Sequence, residues 1–138
     1  AMKSVHLHFP HLEVSLKVEP EAECVLADKD RMTQVFVNIL ENAARYNDKE
    51  KPTCNVRSEK IDDSVVISFS DNGIGVSEKH LSKIFDSFYQ VDMGSGRKVG
   101  GTGLGLSICR GIMAAHGGKI WAEQNPKGGT VFKISLSL

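Results

Sequence analysis

Residues 28–46 constrain the fold most, because they pair a helix start signal with one apolar stripe. Asp28 is a residue type that caps helix N-termini with its side-chain oxygen. The apolar residues that follow recur at helical spacing, and they are Met32, Val35, Phe36, Ile39, Leu40 and Ala43. Asn38, Asn42 and Arg45 form a polar stripe at the flank of this face. The pattern predicts a helix that buries one side against another layer of structure.

Runs of alternating or continuous apolar residues predict strands on both sides of this helix. The predicted strands are 11–19, 24–27, 53–60, 64–70, 120–123 and 130–136. Two further helices are predicted at 78–85 and 104–116, and the second is apolar on nearly every turn, as a mostly buried helix is. Residues 90–101 carry four glycines and little periodicity, which predicts a mobile loop. This order predicts an α/β two-layer sandwich, with a mixed, mostly antiparallel sheet packed on about three helices.

Length and composition limit the class of protein. The 138 residues fit one ordinary domain, and 41% hydrophobic residues allow a real core. Seventeen Lys and Arg residues balance 17 Asp and Glu residues, which gives no electrostatic reason to expect nucleic-acid binding. Ala1 precedes Met2, so we interpret residue 1 as a tag remnant and residues 1–138 as a single domain excised from a longer protein.

The cysteines and the apolar runs indicate the compartment. Cys24, Cys54 and Cys109 are far apart and odd in number, which favours a reduced, intracellular protein over a disulfide framework or a zinc site. No apolar run reaches the length of a transmembrane helix, and no signal-peptide pattern opens the chain.

The glycine clusters raise the question of a phosphate site. The P-loop pattern is absent, and residues 94–99 and 101–105 lack the kinase-loop and dinucleotide-binding spacings. What remains is the run from Gly101 to Gly105, which leads from a loop straight into a helix. The first N–H groups of a helix have no intrahelical partner and bind anions, and glycine lets a triphosphate approach the backbone. The alternative, a tight turn without a ligand, carries equal weight on these residues alone.

Asp71 comes directly after the apolar strand 64–70 and is followed by Gly73 and Gly75. A carboxylate held there accepts a hydrogen bond from the exocyclic amine of adenine and repels the carbonyl oxygen of guanine, so it selects the base. For an isolated pattern of this kind, the favoured alternative is an Asx turn that ends the strand.

Asn38 and Asn42 lie one turn apart on the first predicted helix, ahead of Arg45 and Tyr46. Amide oxygens are hard ligands that suit Mg²⁺, a guanidinium neutralises phosphate charge, and a tyrosine ring packs against a sugar or base. The alternative is that these residues form a solvated outer face, which is the commoner fate of such side chains.

Taken together, these pieces form an ordered series of four motifs. In chain order they read N-I-L-E-N-A-A-R-Y, D-N-G-I-G-V, I-F-D-S-F-Y-Q and G-G-T-G-L-G-L-S. The series closely resembles the ATP-binding catalytic domain of sensor histidine kinases, which has the Bergerat fold of the GHKL superfamily. The resemblance extends from about residue 11 to residue 136 and includes A-H-G-G-K-I-W before the last hairpin.

The resemblance implies a role for each matching residue. Asn42 is the implied Mg²⁺ ligand, Asp71 holds the adenine, and the implied catalytic set is Asn38, Asn42 and Arg45. Residues 86–101 correspond to the ATP lid, and Phe85 and Phe88 match the motif that anchors it, with two core aromatics as an equal alternative. The resemblance implies that Arg97 and Lys98 in the lid reach the terminal phosphate, and the equal alternative is that both are solvated loop cations. The implied ATP contacts are Asn38, Asn42, Arg45, Tyr46, Asp71, Gly73, Ile74, Gly75, Phe88, Arg97, Lys98, Gly101, Thr102, Gly103, Leu104, Gly105 and Leu106.

The residue at position 38 separates two kinds of GHKL protein. Relatives that hydrolyse ATP place a Glu, the water-activating base, one helical turn before the Mg²⁺-binding Asn. This chain has Asn38 there, which is a poor proton acceptor, and Glu41 lies about 100° round the helix from Asn42. A site without a general base suits transfer of the γ-phosphoryl group to a nucleophile from another domain.

We therefore predict an ATP-dependent protein-histidine kinase catalytic domain of a two-component system. Two alternatives stay open: a GHKL ATPase used as a conformational switch, and a degenerate, non-catalytic nucleotide-binding or interaction module. The family's phosphoacceptor is a His followed directly by an acidic residue, and none of the five histidines, His6, His8, His11, His80 and His116, has one. The phosphoacceptor histidine is therefore expected outside this chain.

The same resemblance implies partners and a location. The implied cofactors are ATP and Mg²⁺. The implied partners are the dimerisation and phosphoacceptor domain of the parent kinase and the receiver domain of a response regulator, with no nucleic acid. The isolated domain is expected to be a monomer and the parent a homodimer. The domain is expected in the cytoplasm, and parents of this type are commonly anchored in the bacterial inner membrane.

Overall fold

The chain folds into two α-helices on a mixed sheet. The computed structural model describes residues 3–9, 12–18, 28–87 and 105–137. Helix α1 covers Lys29–Arg45, helix α2 covers Gly105–Ala115, and two 3₁₀ turns lie at Glu78–His80 and Lys83–Phe85. The strands are β1 (Lys3–Phe9), β2 (Leu12–Val18), β3 (Thr53–Ile61), β4 (Ser64–Asp71), β5 (Lys119–Gln124) and β6 (Thr130–Ser137).

In the described residues the strands form one six-stranded sheet in the order β1-β2-β3-β4-β6-β5. Neighbouring strands run antiparallel except β2 and β3, which are parallel. A parallel pair needs a long crossover connection, and α1 lies in the connection between these two strands. This arrangement confirms the predicted α/β class and the mixed, mostly antiparallel sheet.

Helix α1 begins where the sequence predicts. The Asp28 side chain accepts hydrogen bonds from the backbone N–H groups of Asp30 (3.0 Å) and Arg31 (3.1 Å), which satisfies two donors of the first turn. Asp30 lies in the first turn and Arg45 in the last, so both charges complement the helix dipole. The helix ends with Tyr46 as its C-cap, which leaves the tyrosine at the end of the apolar face.

One hydrophobic core joins both helices to one face of the sheet. Alternate residues of β6 are buried because successive side chains of a strand point to opposite faces. The buried residues of α1 are Val35, Ile39 and Ala43, and those of α2 are Leu106, Cys109 and Met113. Each large apolar side chain buried in this way contributes roughly 1.5–3 kcal/mol. The core therefore fixes both helix ends relative to the end of β4.

Two helical predictions differ from the structure. The predicted helix at 78–85 is a pair of 3₁₀ turns, because so short a segment forms few α-helical hydrogen bonds. The burial of Ile84 and Phe85 determines the backbone conformation there instead.

The prediction that the last helix is mostly buried is wrong, since Ile108 is 41% exposed and Gly111 and Ala114 are exposed too. A two-layer fold covers a helix on one side only, and small or apolar residues on the other side imitate a burial pattern.

Several predictions lie outside the described residues. They are the strand at 24–27 and, from residue 88 onward, the lid and the glycine run up to residue 104. No helix in the described part of the chain has both the length and the hydrophobicity that a membrane-spanning segment needs.

Candidate functional site

A cleft lies between the C-terminal half of α1, the end of β4 and the start of α2. Its lining residues are Asn42, Tyr46, Asp71, Val76, Ile84, Leu106, Thr130 and Phe132. The empty space between these side chains, with open solvent at its mouth included, is about 360 Å³. Asp71 is the one carboxylate among these described lining residues. The cleft is thus an apolar slot with polar groups at its two ends.

Asp71 forms the polar group at the sheet end of the cleft. It is only 6% exposed. Its Oδ1 accepts hydrogen bonds from the backbone N–H groups of Gly73 (2.9 Å) and Thr130 (3.0 Å). Burial raises the pKa of this carboxyl above its usual range, and the two backbone hydrogen bonds oppose that rise. Because both bonds from described residues end on Oδ1, Oδ2 is the oxygen available to a ligand.

Two glycines allow the backbone to approach Asp71 this closely. A Cβ on Gly129 would overlap the Asp71 carbonyl oxygen and lie 2.7 Å from Oδ1. Gly129 also has a φ of +90°, a conformation that L-residues rarely adopt. A Cβ on Gly73 would overlap the carbonyl oxygen of Tyr46. Close contact therefore requires glycine at both positions, and at Gly129 the left-handed backbone conformation favours it as well.

The turn between β5 and β6 holds Asp71 from the other side. Asn125 donates from Nδ2 to the Asp71 carbonyl oxygen (3.3 Å) and from its backbone N–H to the carbonyl oxygen of Gly129 (3.1 Å). Its Oδ1 accepts from the backbone N–H of Lys127 (3.1 Å), which closes the turn. The turn thus positions the backbone N–H of Thr130 to donate to the Asp71 carboxylate.

The opposite end of the cleft lies where α1 meets the first residue of α2. Asn42 donates from Nδ2 to the backbone carbonyl of Asn38 (2.9 Å), which leaves its Oδ1 as a hard oxygen donor. Asn38 donates from Nδ2 to the carbonyl oxygen of Gly105 (3.3 Å). A Cβ on Gly105 would come within 3.8 Å of Asn38 and 3.9 Å of Asn42. The structure therefore brings both asparagines to the N-terminus of α2.

Tyr46 forms part of the cleft wall between the two ends. Burial raises the pKa of its hydroxyl, and the charge of Arg45 opposes the shift. Its backbone carbonyl accepts from the N–H of Ile74 (3.0 Å), so the end of α1 is tied to the loop after β4. The ring is thus a neutral, half-buried surface beside Asp71.

Other predicted site residues lie elsewhere or are not described. Arg45 is exposed and absent from the described lining of the cleft, and Ile74 is 44% exposed and faces a separate shallow groove. Phe85 is buried in the core and packs edge-on against Phe132 at 6.3 Å, as in the structural alternative for that motif. The predicted contacts outside the described residues are Phe88, Arg97, Lys98, Gly101, Thr102, Gly103 and Leu104.

Sequence reasoning missed the wall that the last hairpin contributes. Thr130 and Phe132 line the cleft, and Gly129 packs against Asp71. The paired glycines before a strand were visible in the sequence, but they predict only a turn. Nothing local indicates that β6 lies next to β4, because the paired residues are 61 to 73 positions apart along the chain. The hydrogen bond from Thr130 to Asp71 likewise spans 59 positions.

Comparison with known proteins agrees with this geometry. Residues 27–138 match the family model described as histidine kinase-, DNA gyrase B- and HSP90-like ATPase. The sensor protein kinase WalK of Staphylococcus haemolyticus is 44% identical over 110 residues, which are 79% of this chain and 18% of that protein. The chain thus spans less than a fifth of the length of this relative.

Solved structures show the same fold. The mycobacterial sensor histidine kinase MprB is 26% identical with a TM-score of 0.80, and the match covers 92% of this chain and 84% of that one. The catalytic domain of histidine kinase ThkA is 33% identical with a TM-score of 0.76, over 92% of this chain and 80% of that one. The chain therefore belongs to the histidine kinase-, DNA gyrase B- and HSP90-like ATPase family, as an ATP-binding catalytic domain of the sensor histidine kinase type.

Proposed function

We propose that the domain binds Mg·ATP in this cleft and donates the γ-phosphoryl group to a histidine on a separate dimerisation and phosphoacceptor domain. The observation that carries the proposal is the buried Asp71 carboxylate, with both backbone donors on one oxygen at the floor of an apolar slot. Its free oxygen accepts from the exocyclic amine of adenine, and the apolar wall packs against the ring faces.

The other end of the cleft suits the phosphates and the metal ion. The first N–H groups of α2 have no intrahelical acceptors, and together with the helix dipole they favour an anion. Asn42 would hold Mg²⁺ through Oδ1, and the ion would neutralise phosphate charge. In the described residues no group of three or more His, Cys, Asp or Glu could hold a metal alone. Mg²⁺ keeps several waters and takes much of its coordination from substrate phosphates, so one protein oxygen from Asn42 would complete such a site.

Among the described lining residues the one carboxylate is Asp71, at the other end of the cleft from Asn42, and this favours transfer over hydrolysis. Asn38 occupies the position of a water-activating base, and its amide nitrogen is bound to Gly105. Glu41 is exposed and is not among the described lining residues. Catalysis is then positioning and charge neutralisation. An imidazole nitrogen bonds to the γ-phosphorus while the bond to the β,γ-bridging oxygen breaks, and ADP leaves.

Two solved relatives support the ligand and the partner. The structure of full-length ShkA in complex with AMPPNP, an ATP analogue, matches 91% of this chain and 25% of that one at 28% identity and a TM-score of 0.76. The complex of ThkA with the response regulator protein TrrA matches 91% of this chain and 34% of that one at 31% identity and a TM-score of 0.71. By extension, we assign the next phosphoacceptor to a response-regulator receiver domain.

A phosphotransfer assay tests the proposal. The domain is incubated with γ-labelled ATP, with and without the purified dimerisation and phosphoacceptor domain of its parent kinase. We expect acid-labile, base-stable phosphate on a histidine of the added domain and little free phosphate without it. Sustained phosphate release by the domain alone would instead identify an ATPase used as a conformational switch.

A further inference from the structure

The side chain of Asn72 ties the loop between α1 and β3 to the end of β4. Its Oδ1 accepts from Nδ2 of Asn47 (2.7 Å) and from the backbone N–H of Thr53 (2.9 Å). Its Nδ2 donates to the carbonyl oxygen of Lys51 (3.0 Å), and its backbone N–H donates to the carbonyl oxygen of Thr53 (3.2 Å). One residue therefore holds both ends of the loop 47–53.

Only a carboxamide satisfies this set of partners. The oxygen must accept twice and the nitrogen must donate once, from two atoms on one short side chain. A carboxylate would keep the two acceptor bonds but would place its second oxygen against the Lys51 carbonyl oxygen, where no donor exists. The bond from Nδ2 to the Lys51 carbonyl oxygen, which is exposed, is the one that a carboxylate would lose.

The residues that flank Asn72 are the ones that shape the adenine end of the cleft. Asp71 precedes it, and the N–H of Gly73 after it binds Asp71 Oδ1 at 2.9 Å. The N–H of Ile74 binds the carbonyl oxygen of Tyr46 at 3.0 Å, and Gly73 packs against the same oxygen. Asn72 itself is not among the described residues that line the cleft.

We propose that Asn72 is a positioning residue of the nucleotide site. It does not contact the nucleotide, but it clamps the loop 47–53 to the end of β4 and so fixes the spacing between the Tyr46 ring and the Asp71 carboxylate. The inference rests on the proposed ATP site. Its effect is confined to the adenosine end, because Asn38 and Asn42 are held by α1 and by Gly105, at the other end of the cleft.

Asn72→Asp, with Asn47→Ala as a milder second variant, tests the inference. Asn55→Asp is the matched control, since Asn55 is exposed on β3. ATP affinity is measured by calorimetry with and without Mg²⁺, well below the unfolding midpoint of each variant. We expect Asn72→Asp to weaken ATP binding about tenfold, because it loses the bond to Lys51 and sets a carboxylate oxygen against that carbonyl oxygen. We expect Asn47→Ala to weaken it about threefold, because it removes one bond to the Asn72 side chain and adds no repulsion. The ratio of affinities with and without Mg²⁺ should stay unchanged, and the control should bind like the wild type.

The outcomes separate the inference from the function on which it rests. Failure of the wild-type domain to bind ATP contradicts the proposed function. Normal binding by the wild type and equal binding by both folded variants overturns the role of Asn72. A loss of the Mg²⁺ enhancement in parallel with the loss of affinity also overturns it, because a general loosening of the fold affects both ends of the cleft. If Asn72→Asp does not fold, Asn47→Ala decides alone, because Asn47 supplies only one of the hydrogen bonds to the Asn72 side chain.

Discussion

The two ends of the cleft are built in different ways. At the proposed adenine end, Asp71 is bound by backbone groups from the loop after β4 and from the first residue of β6, and glycines let both segments approach it. At the proposed phosphate end, two side-chain hydrogen bonds, at 2.9 Å and 3.3 Å, connect Asn42, Asn38 and Gly105. In the described residues, backbone hydrogen bonds thus hold the functional group at one end of the cleft, and side-chain hydrogen bonds hold those at the other end.

Under the proposed function, this difference predicts how each end would recognise its part of the ligand. A socket of backbone donors around one buried carboxylate is rigid and selects a base by its hydrogen-bonding pattern. An end made of amide side chains and a helix N-terminus supplies charge complementarity to phosphates and a metal ion. Substitutions at the first end should therefore change base affinity, and substitutions at the second should change the effect of Mg²⁺.

The largest expected effect follows from Asp71→Asn. The remaining carboxamide oxygen still accepts from Gly73 and Thr130, but the NH₂ group then faces the adenine amine, donor against donor. We expect ATP affinity to fall by about 30- to 150-fold, the equivalent of roughly 2–3 kcal/mol. Thermal stability should not fall, because a buried charge is removed. Calorimetry and thermal unfolding measure both, with exposed Asp63→Asn as the control; unchanged ATP affinity would exclude the adenine role.

Gly129→Ala and Gly128→Ala separate contact from conformation at the same turn. Both glycines have positive φ, +90° and +101°, but a Cβ on Gly128 meets nothing within 4 Å, whereas one on Gly129 overlaps Asp71. We expect each to lose about 1–2 kcal/mol of stability through backbone strain. Only Gly129→Ala should lose further stability and about tenfold or more in ATP affinity, because it displaces the carboxylate. Equal ATP affinities would show that the turn does not position Asp71.

Asn42→Ala probes the phosphate end. It removes the proposed Mg²⁺ ligand, so ATP binding in the presence of Mg²⁺ should weaken about tenfold, a loss of the size known for substitutions around metal ligands. Binding without Mg²⁺ should change less than about twofold, because the adenine socket is intact. Calorimetry at matched ionic strength with and without Mg²⁺ gives both values, and Asn55→Ala serves as the exposed control. Equal losses in both conditions would argue against metal ligation.

The smallest expected effect is a pH dependence that belongs to Asp71. Because burial raises the pKa of this carboxyl in the folded state, the folded protein holds the proton more tightly than the unfolded chain does. The contribution of Asp71 to stability is therefore lost as pH rises from the usual aspartate range through the raised value. ATP affinity should change in the opposite direction and fall on acidification through the raised pKa, as the acceptor is protonated. Asp71→Asn should abolish both trends in unfolding and binding series; persistence of either trend would assign it to another group.

Much of the fold was predictable from local signals. The cap at Asp28 and the stripe of Val35, Ile39 and Ala43 place α1 to within a residue at each end, because capping and amphipathic spacing are properties of adjacent residues. The parallel pairing of β2 with β3 was not predictable in this way, since it depends on the α1 crossover and on packing across the whole sheet. In α2 a local signal was misleading, because apolar residues such as Ile108 predicted a mostly buried helix and Ile108 is in fact exposed.

In the candidate site, too, local motifs identified some residues, and others depend on the pairing of distant strands. The motif residues Asn42, Asp71 and Tyr46 do line one cleft, so their order in the sequence indicated their proximity correctly. Thr130 and Gly129 were not identified, because their relation to Asp71 arises only when β6 pairs with β4. The roles of these residues toward a nucleotide stay predictions.

A calorimetric titration of the wild-type domain with ATP and with GTP, each with and without Mg²⁺, addresses the nucleotide site as a whole. We predict that ATP binds, that Mg²⁺ strengthens the binding, and that GTP binds far more weakly because the carbonyl oxygen of guanine would face the Asp71 carboxylate. Equal affinity for GTP would contradict base selection by Asp71, and no binding of ATP would show that the cleft is a scaffold without a nucleotide function.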